Sequence, residues 1–364
     1  MKDTLEVVSS QLHIYQDFPL NAGSPSNHKR QSLITPQVYF FVRNHGSIPD
    51  VDVTSYRLRI LRQEQLLLEL SLDELKNNFP SSSVVATLQC AGYRRKELID
   101  HQPVPDEIPW GADAISTAEW RGVPLREVLQ KVGVDEETRH VAFLGLDTVY
   151  KENENVQFGA SICIAKAINP EVLLAYEMNG EPLTPVHGFP LRLVVPGYIG
   201  ARSVKWLESI TLQQEPSDNY FQSRSYKLFP PHVQTHNAHL EQAPTIEHLP
   251  LNSVISYPTE GETLREGETI VRGYALTGNG NRIVRVELST NEGKTWTQAT
   301  LFQPQEAWAW CFWKQTLFLT SGSRQLIVRA WDTTSAAQPQ SVCETWNWKG
   351  YLNNAWHRVH ITVE

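Results

Sequence analysis

A mixed α+β domain followed by a β-sandwich of immunoglobulin type is the fold class this sequence predicts, and three features predict it. Over the first two thirds, runs rich in β-branched and aromatic residues alternate with short amphipathic helical patterns. Between Pro230 and Pro250 the chain is rich in Pro, His and Gln and loses periodicity, as interdomain connections do. Beyond it, roughly six or seven strand-like runs follow one another with no convincing helix, which is the pattern of a sandwich. The expected division is residues 1–245 and residues 246–364.

In chain order, Gln37 to Val42 reads as a strand, the stretch holding Val53, Arg57, Arg59 and Ile60 as a second, and Val84 to Gln89 as a third. Ser71-Leu72-Asp73-Glu74 has the form of a capping box and so opens a helix. Leu125, Val128, Leu129 and Val132 recur at helical spacing, with Gly133 as the stop. In the last third the strand-like runs are Thr269–Leu276, Arg282–Thr290, Thr295–Leu301, Ala307–Phe318, Gln325–Trp331 and Trp356–Val363. They are punctuated by turn signals such as Gly278-Asn279-Gly280-Asn281 and Asn291-Glu292-Gly293.

At 364 residues the chain is long enough for two domains, each with its own core. A formal net charge of -8 argues against a partner bound through nucleic-acid phosphates, which would demand excess Lys and Arg. Cys90, Cys163, Cys311 and Cys343 form no CxxC pair, so neither a zinc ribbon nor a disulfide framework is expected. No run of about 18 apolar residues occurs, so no membrane span is expected. The amino terminus shows no secretory or twin-arginine leader, and the expected location is cytoplasmic, or periplasmic if a leader has been removed.

Cys90 is the most informative residue. It ends an apolar stretch and is followed at once by Arg94, Arg95 and Lys96. Cations near a sulfur favour the thiolate, which is the form that ligates a soft metal. A lone thiol is more often a small buried hydrophobe, so the reading depends on the rest of the chain.

That context exists. Cys90-Ala91-Gly92-Tyr93-Arg94-Arg95 resembles the Cys-Ala-Gly-x-Arg-Arg signature of the sulfite oxidase family of molybdenum enzymes. Phe41-Val42-Arg43-Asn44-His45 is similar to another family segment, as are Tyr176 to Gly180, His187-Gly188-Phe189-Pro190-Leu191-Arg192 and Val195 to Trp206. Ala307-Trp308-Ala309-Trp310 and Asn354 to His360 resemble the family's dimerisation domain. The likeness runs over almost the whole chain and implies a sulfite oxidase-type molybdopterin domain, a dimerising sandwich and a homodimer.

The resemblance also implies chemistry. Molybdenum would be held by molybdopterin and by the Cys90 thiolate. The cofactor would be cradled by Phe41, Val42, Arg43, Asn44, His45, Asp147, His187, Arg192, Ser203, Val204 and Lys205. Among these, Arg192 and Lys205 suit phosphate and Asp147 suits pterin N–H groups. Arg43 and Arg95 would bind a small oxyanion, Trp110 would wall the pocket, and Tyr226 would stand near the reacting oxygen as a donor or proton relay. The implied reaction is oxidation of sulfite to sulfate by oxygen-atom transfer, with electrons passed to an external acceptor that the sequence does not name, whether oxygen, a cytochrome or another carrier. Reduction of nitrate at the same molybdenum site is the alternative.

Two positions depart from the family pattern. Tyr93 stands where the signature usually has Asn, and Cys311 is expected where animal sulfite oxidases carry a further pocket arginine. The Trp310-Cys311-Phe312-Trp313 run and Pro230-Pro231-His232-Val233 look closer to eukaryotic nitrate reductases, whereas Tyr226 looks closer to sulfite oxidation. His232, His236 and His239 have metal-like spacing, but the prolines interrupt a helix there and the HExxH glutamate is missing. No CxxCH motif or cytochrome b5-like segment is visible, so no haem is expected.

Overall fold

The computed structural model describes residues 11–25 and 32–364. The first part is built on two five-stranded sheets. One runs in the order Glu181–Pro182, Leu173–Met178, Ile115–Pro124, Ser82–Gln89, with Arg192–Val194 also paired to Leu173–Met178. The other runs Gln65–Leu70, Leu58–Arg62, Leu207–Gln213, His140–Lys151, Glu154–Cys163, and is antiparallel except where Leu58–Arg62 and Leu207–Gln213 lie parallel. Central strands are buried on both faces, as in Leu173, Leu174 and Ala175, which explains their continuous apolar sequence.

The helices start and stop where side chains satisfy their ends. Ser71 accepts from the Glu74 amide while Glu74 reaches back to the Ser71 amide, a complete capping box for Leu72–Asn78. Leu125–Val132 buries Leu125, Val128 and Leu129 and ends at Gly133, whose φ of 76° a side chain would oppose.

The expected strand from Gln37 to Val42 is not formed. Pro36 opens a 3-10 turn over Gln37–Tyr39, in which the Tyr39 amide donates to Pro36 O and the Phe40 amide to Gln37 O. Only Val42 pairs as a strand would, bridging to Ala22 through bonds of 2.8 and 2.9 Å. The apolar run is there to bury Phe40, Phe41 and Val42, and the preset proline φ settles the backbone.

The last third is two facing sheets. Asn252–Tyr257, Gly267–Leu276, Cys311–Leu319 and Thr300–Phe302 form one, and Glu262–Leu264, His357–Val363, Gly322–Asp332, Ile283–Ser289 and Thr297–Gln298 the other. Val271, Ala275, Trp313, Val286, Leu288, Val328 and Val359 fill the space between them.

The two parts are joined by buried polar contacts. The Arg94 side chain, fully buried, bonds Glu97 twice at 2.6 Å and reaches across to Asn252 Oδ1 at 2.8 Å and Ala355 O at 2.9 Å. Tyr93 and Tyr274 share a hydroxyl contact of 2.5 Å. Tyr93, the departure from the family signature, therefore faces the sandwich.

Candidate active site

Cys90 leaves the end of Ser82–Gln89 and enters a tight turn. Its amide donates to Ala114 O at 2.9 Å, and the Tyr93 amide donates back to Cys90 O at 3.0 Å. This aims the sulfur into a recess, where the Gly92 amide donates to Cys90 Sγ at 3.4 Å. The turn needs glycine, because a Cβ at Gly92 would strike the Arg95 guanidinium at 2.5 Å.

The three cations that follow Cys90 do not surround its sulfur. Arg94 is taken by Glu97, Arg95 by Glu107 at 3.0 Å, and exposed Lys96 by Asp100. The charge that faces the sulfur comes from Arg43 instead, whose electrostatic partners include Cys90 and Tyr226. Burial opposes the Arg43 charge, yet Tyr226, Cys90, Glu107 and Tyr351 together hold its pKa above the ordinary value.

Phe41, Arg43, Asn44, His45, Cys90, Asp147, His187, Arg192, Ser203, Lys205 and Tyr226 line one recess, together with Phe40, Phe158 and Trp206. Val42 and Val204 lie in neighbouring cores, and their backbones hold the wall: Val42 through Ala22, Val204 by accepting from the Leu193 amide at 2.8 Å. Trp110 is buried beside Cys90 in the same apolar cluster, its indole N–H without a hydrogen-bond partner, and packs on Tyr15 at 4.7 Å. Arg95 lies behind Gly92 and is absent from the recess lining.

Cys311 is elsewhere. It is buried in the sandwich core, where burial pushes its thiol up to about 12, and it does not stand in the recess. The reason is register: Cys311 opens Cys311–Leu319 opposite Ala275, so its side chain points between the sheets. The C-terminal part instead contributes Lys349, Gly350 and Tyr351. Tyr351 stacks on Tyr226 at 5.3 Å, Gly350 O accepts from Arg95 Nε at 2.9 Å, and Lys349 lies within electrostatic reach of Arg95 and Glu107. These residues and Glu107 escaped the sequence reading. For Lys349, Gly350 and Tyr351 the signal was position, just before the Asn354–His360 run, and for Glu107 it was closeness to Trp110.

The recess floor is a cluster of buried cations with too few anions. Among the described residues Arg192 pairs with no carboxylate: it bonds the carbonyls of His187 at 3.0 Å and Ser203 at 3.2 Å and lies over the Trp120 ring, and burial lowers its pKa to about 9. Lys205 bonds Asn44 and Val186 O, and burial together with Arg192 and Arg43 pulls its pKa far down. Asp147 is the nearby carboxylate, and burial raises it to about 6 against the pull of Lys205. Glycines permit this crowding: a Cβ at Gly145 would lie 2.7 Å from both Asp147 Oδ1 and Lys205 O, and one at Gly188, where φ is 106°, would press on Arg192 and Lys205.

Buried, underneutralised cations call for an anion. A phosphate-bearing cofactor fits those cations, a soft metal fits the Cys90 sulfur in the same recess, and Asp147 offers an acceptor there. The donor set therefore fits molybdopterin and its metal.

Above the sulfur, the Tyr226 hydroxyl lies 2.8 Å from His45 Nε2. Burial, with Arg43 and Lys205, keeps His45 well below its ordinary pKa, and burial keeps the Tyr226 phenol above its own. Both are neutral at pH 7. His232, His236 and His239 are exposed, and among the described residues no group of three or more His, Cys, Asp or Glu converges as a metal site.

Known proteins resemble this chain over most of its length. A family model described as an oxidoreductase molybdopterin binding domain matches residues 45–221, and one described as a Mo-co oxidoreductase dimerisation domain matches residues 243–364. The mitochondrial sulfite oxidase of Macaca fascicularis is 42% identical over 97% of this chain and 66% of its own length, so the chain spans about two thirds of that relative. Sulfite oxidase of Arabidopsis thaliana is 38% identical over 95% of this chain and 92% of its own. Nitrate reductase [NADH] 1 of Nicotiana tabacum is 36% identical over 95% of this chain and 40% of its own. Among solved structures, the sulfane dehydrogenase SoxCD from Paracoccus pantotrophus superposes with a TM-score of 0.78 at 25% identity, covering 96% of this chain and 88% of that one. The chain belongs to the sulfite oxidase family of molybdopterin-dependent oxidoreductases.

Proposed function

We propose that this chain oxidises sulfite to sulfate by oxygen-atom transfer at a molybdenum centre whose protein ligand is Cys90. The observation that carries the reading is the placement of Cys90, Arg43 and the Tyr226–His45 pair around one recess over a floor that calls for an anionic cofactor. Bound there, the molybdenum cofactor supplies the transferable oxygen and accepts two electrons.

The chain's own residues position and compensate. Arg43, held toward the sulfur by Asn21 Oδ1 at 3.2 Å and by Asn44 O, offers a fixed charge to an oxyanion. Tyr226 keeps its proton and donates to an oxygen of the anion, while neutral His45 fixes the hydroxyl and exchanges its proton. Arg192, Lys205 and His187 would hold the cofactor's phosphate, and Asp147 would accept from its pterin.

Residues 1–245 would be the catalytic part. Residues 246–364 would be an immunoglobulin-like sandwich through which the chain forms a homodimer, with electrons leaving to an external carrier. The higher identity to a sulfite oxidase than to a nitrate reductase favours sulfite, and Cys311, lying in the sandwich core, no longer argues for a depleted pocket.

The test is redox titration of purified, molybdenum-assayed protein. Sulfite should reduce the oxidised protein by two electrons, and one-electron reoxidation with ferricyanide should then pass through a Mo(V) resonance. Failure with sulfite, together with reoxidation of the reduced protein by nitrate, would replace this reading with nitrate reduction.

A further inference from the structure

Glu107 is a carboxylate set among cations beside a site that must attract an anion. Its Oε2 lies 3.0 Å from Arg95 Nη1, whose side chain is almost fully buried, while the Glu107 side chain is 23% exposed and so reachable from solvent. Arg95 is otherwise held by backbone: Nε donates to Gly350 O at 2.9 Å and Nη1 to Ile108 O at 3.0 Å, and its guanidinium lies over the Tyr351 ring at 5.2 Å. Among the described residues no second carboxylate pairs with Arg95. Lys349 stands in the same neighbourhood, drawn by Glu107 and repelled by Lys151 and Arg95, with burial lowering its pKa.

Stacked rings connect this pair to the recess: the Arg95 guanidinium lies over Tyr351, Tyr351 stacks at 5.3 Å on Tyr226, which lines the recess, and the charge of Glu107 acts on Arg43, Tyr226 and Tyr351. A negative charge there opposes an incoming oxyanion, and opposes a dianion more than a monoanion. In the same position it neutralises Arg95 while no substrate is bound, which spares the protein a buried unpaired cation.

We propose that Glu107 tunes the recess from behind its wall: its carboxylate neutralises Arg95, whose guanidinium lies over the Tyr351 ring that stacks on Tyr226, so that it sets anion affinity and the preference between dianions and monoanions. This rests on reading the recess as an oxyanion site. Glu107 is a positioning residue, acting through Arg95.

The experiment measures inorganic sulfate binding to the holoenzyme by titration calorimetry, alongside sulfite turnover, for wild type, Glu107→Gln, Glu107→Ala and Glu107→Asp. Removing the charge should tighten the sulfate Kd and lower the sulfite KM by roughly tenfold, the scale of one partly screened charge pair. KM should change more than kcat, nitrate affinity should rise by less than sulfate affinity, and Glu107→Asp should stay near wild type. Sulfate Kd within twofold of wild type, or weaker, in folded Glu107→Gln or Glu107→Ala overturns the proposal, and if the Gln variant does not fold the Ala variant decides. Tightened sulfate binding in a protein that does not oxidise sulfite would uphold the role of Glu107 and sink the substrate assignment.

Discussion

Tyr226 and His45 are 181 positions apart and meet through a 2.8 Å contact between the phenol oxygen and Nε2, with the rings edge-on at 6.0 Å. Both are held neutral by burial, so the pair can donate or relay a proton without first losing a charge. Tyr226→Phe keeps the ring stacked on Tyr351 and removes only the hydroxyl. It should reduce kcat for sulfite by about 10²-fold, the usual scale for a positioned proton donor, while molybdenum content by metal analysis stays at the wild-type level.

Cys90→Ser replaces a soft donor by a hard one of similar size, in a turn whose geometry rests on backbone bonds. The fold should survive, with a thermal midpoint close to wild type. Sulfite-dependent dye reduction should fall below detection, and full activity in this variant would refute the ligand assignment.

Local runs were legible in the sequence. The Ser71–Glu74 capping box and the Leu125–Val132 helix depend on neighbours within four residues, and both formed as read. The recess was legible to the extent that Arg43, Cys90, His187 and Lys205 sit in recognisable segments. What lay hidden was pairing across distance. The sequence placed three cations after Cys90, but Arg94 turns to Asn252 and Ala355 while Arg95 turns to Glu107 and Gly350. Cys311 was misplaced because a one-residue difference in strand register decides whether a side chain enters the sandwich or leaves it. Gln37 to Val42 misled because Phe40, Phe41 and Val42 report burial, which does not require a strand, while Val38 is exposed.

Arg94 ties the two halves together. Its guanidinium is fully buried, paired with Glu97, and bonded to Asn252 Oδ1 and Ala355 O. Arg94→Ala would strip the donor from Asn252 Oδ1 and leave Ala355 O with a longer bond from Gln338 Nε2 at 3.4 Å, while Glu97, 31% exposed, keeps the Asn353 Nδ2 donor at 3.1 Å. The expected loss is about 1–3 kcal/mol, the scale of stranding a buried acceptor, read as a lower urea midpoint.

His187 carries the acid sensitivity of the unloaded site. It is buried beside Lys205 and Arg192, with its ring Nε2 3.2 Å from Gln37 O, and burial first and these cations second lower its pKa from 6.5 to about 3. The folded state therefore binds fewer protons than the unfolded chain between these values. Its stability is intact above pH 6.5 and is lost as pH falls toward 3. By pH 4.5 the gap of about two units corresponds to roughly 2–3 kcal/mol from this residue alone. His187→Gln removes the titrating group, so the drop in unfolding free energy between pH 7 and pH 4.5, measured by urea denaturation of protein prepared without cofactor, should shrink by about that amount. His45, lowered in the same direction by burial, Arg43 and Lys205, should supply part of the acid sensitivity that remains. An unchanged pH slope in the variant would mean that His187 is protonated in the folded protein, and that the cation cluster tolerates one more charge than its burial implies.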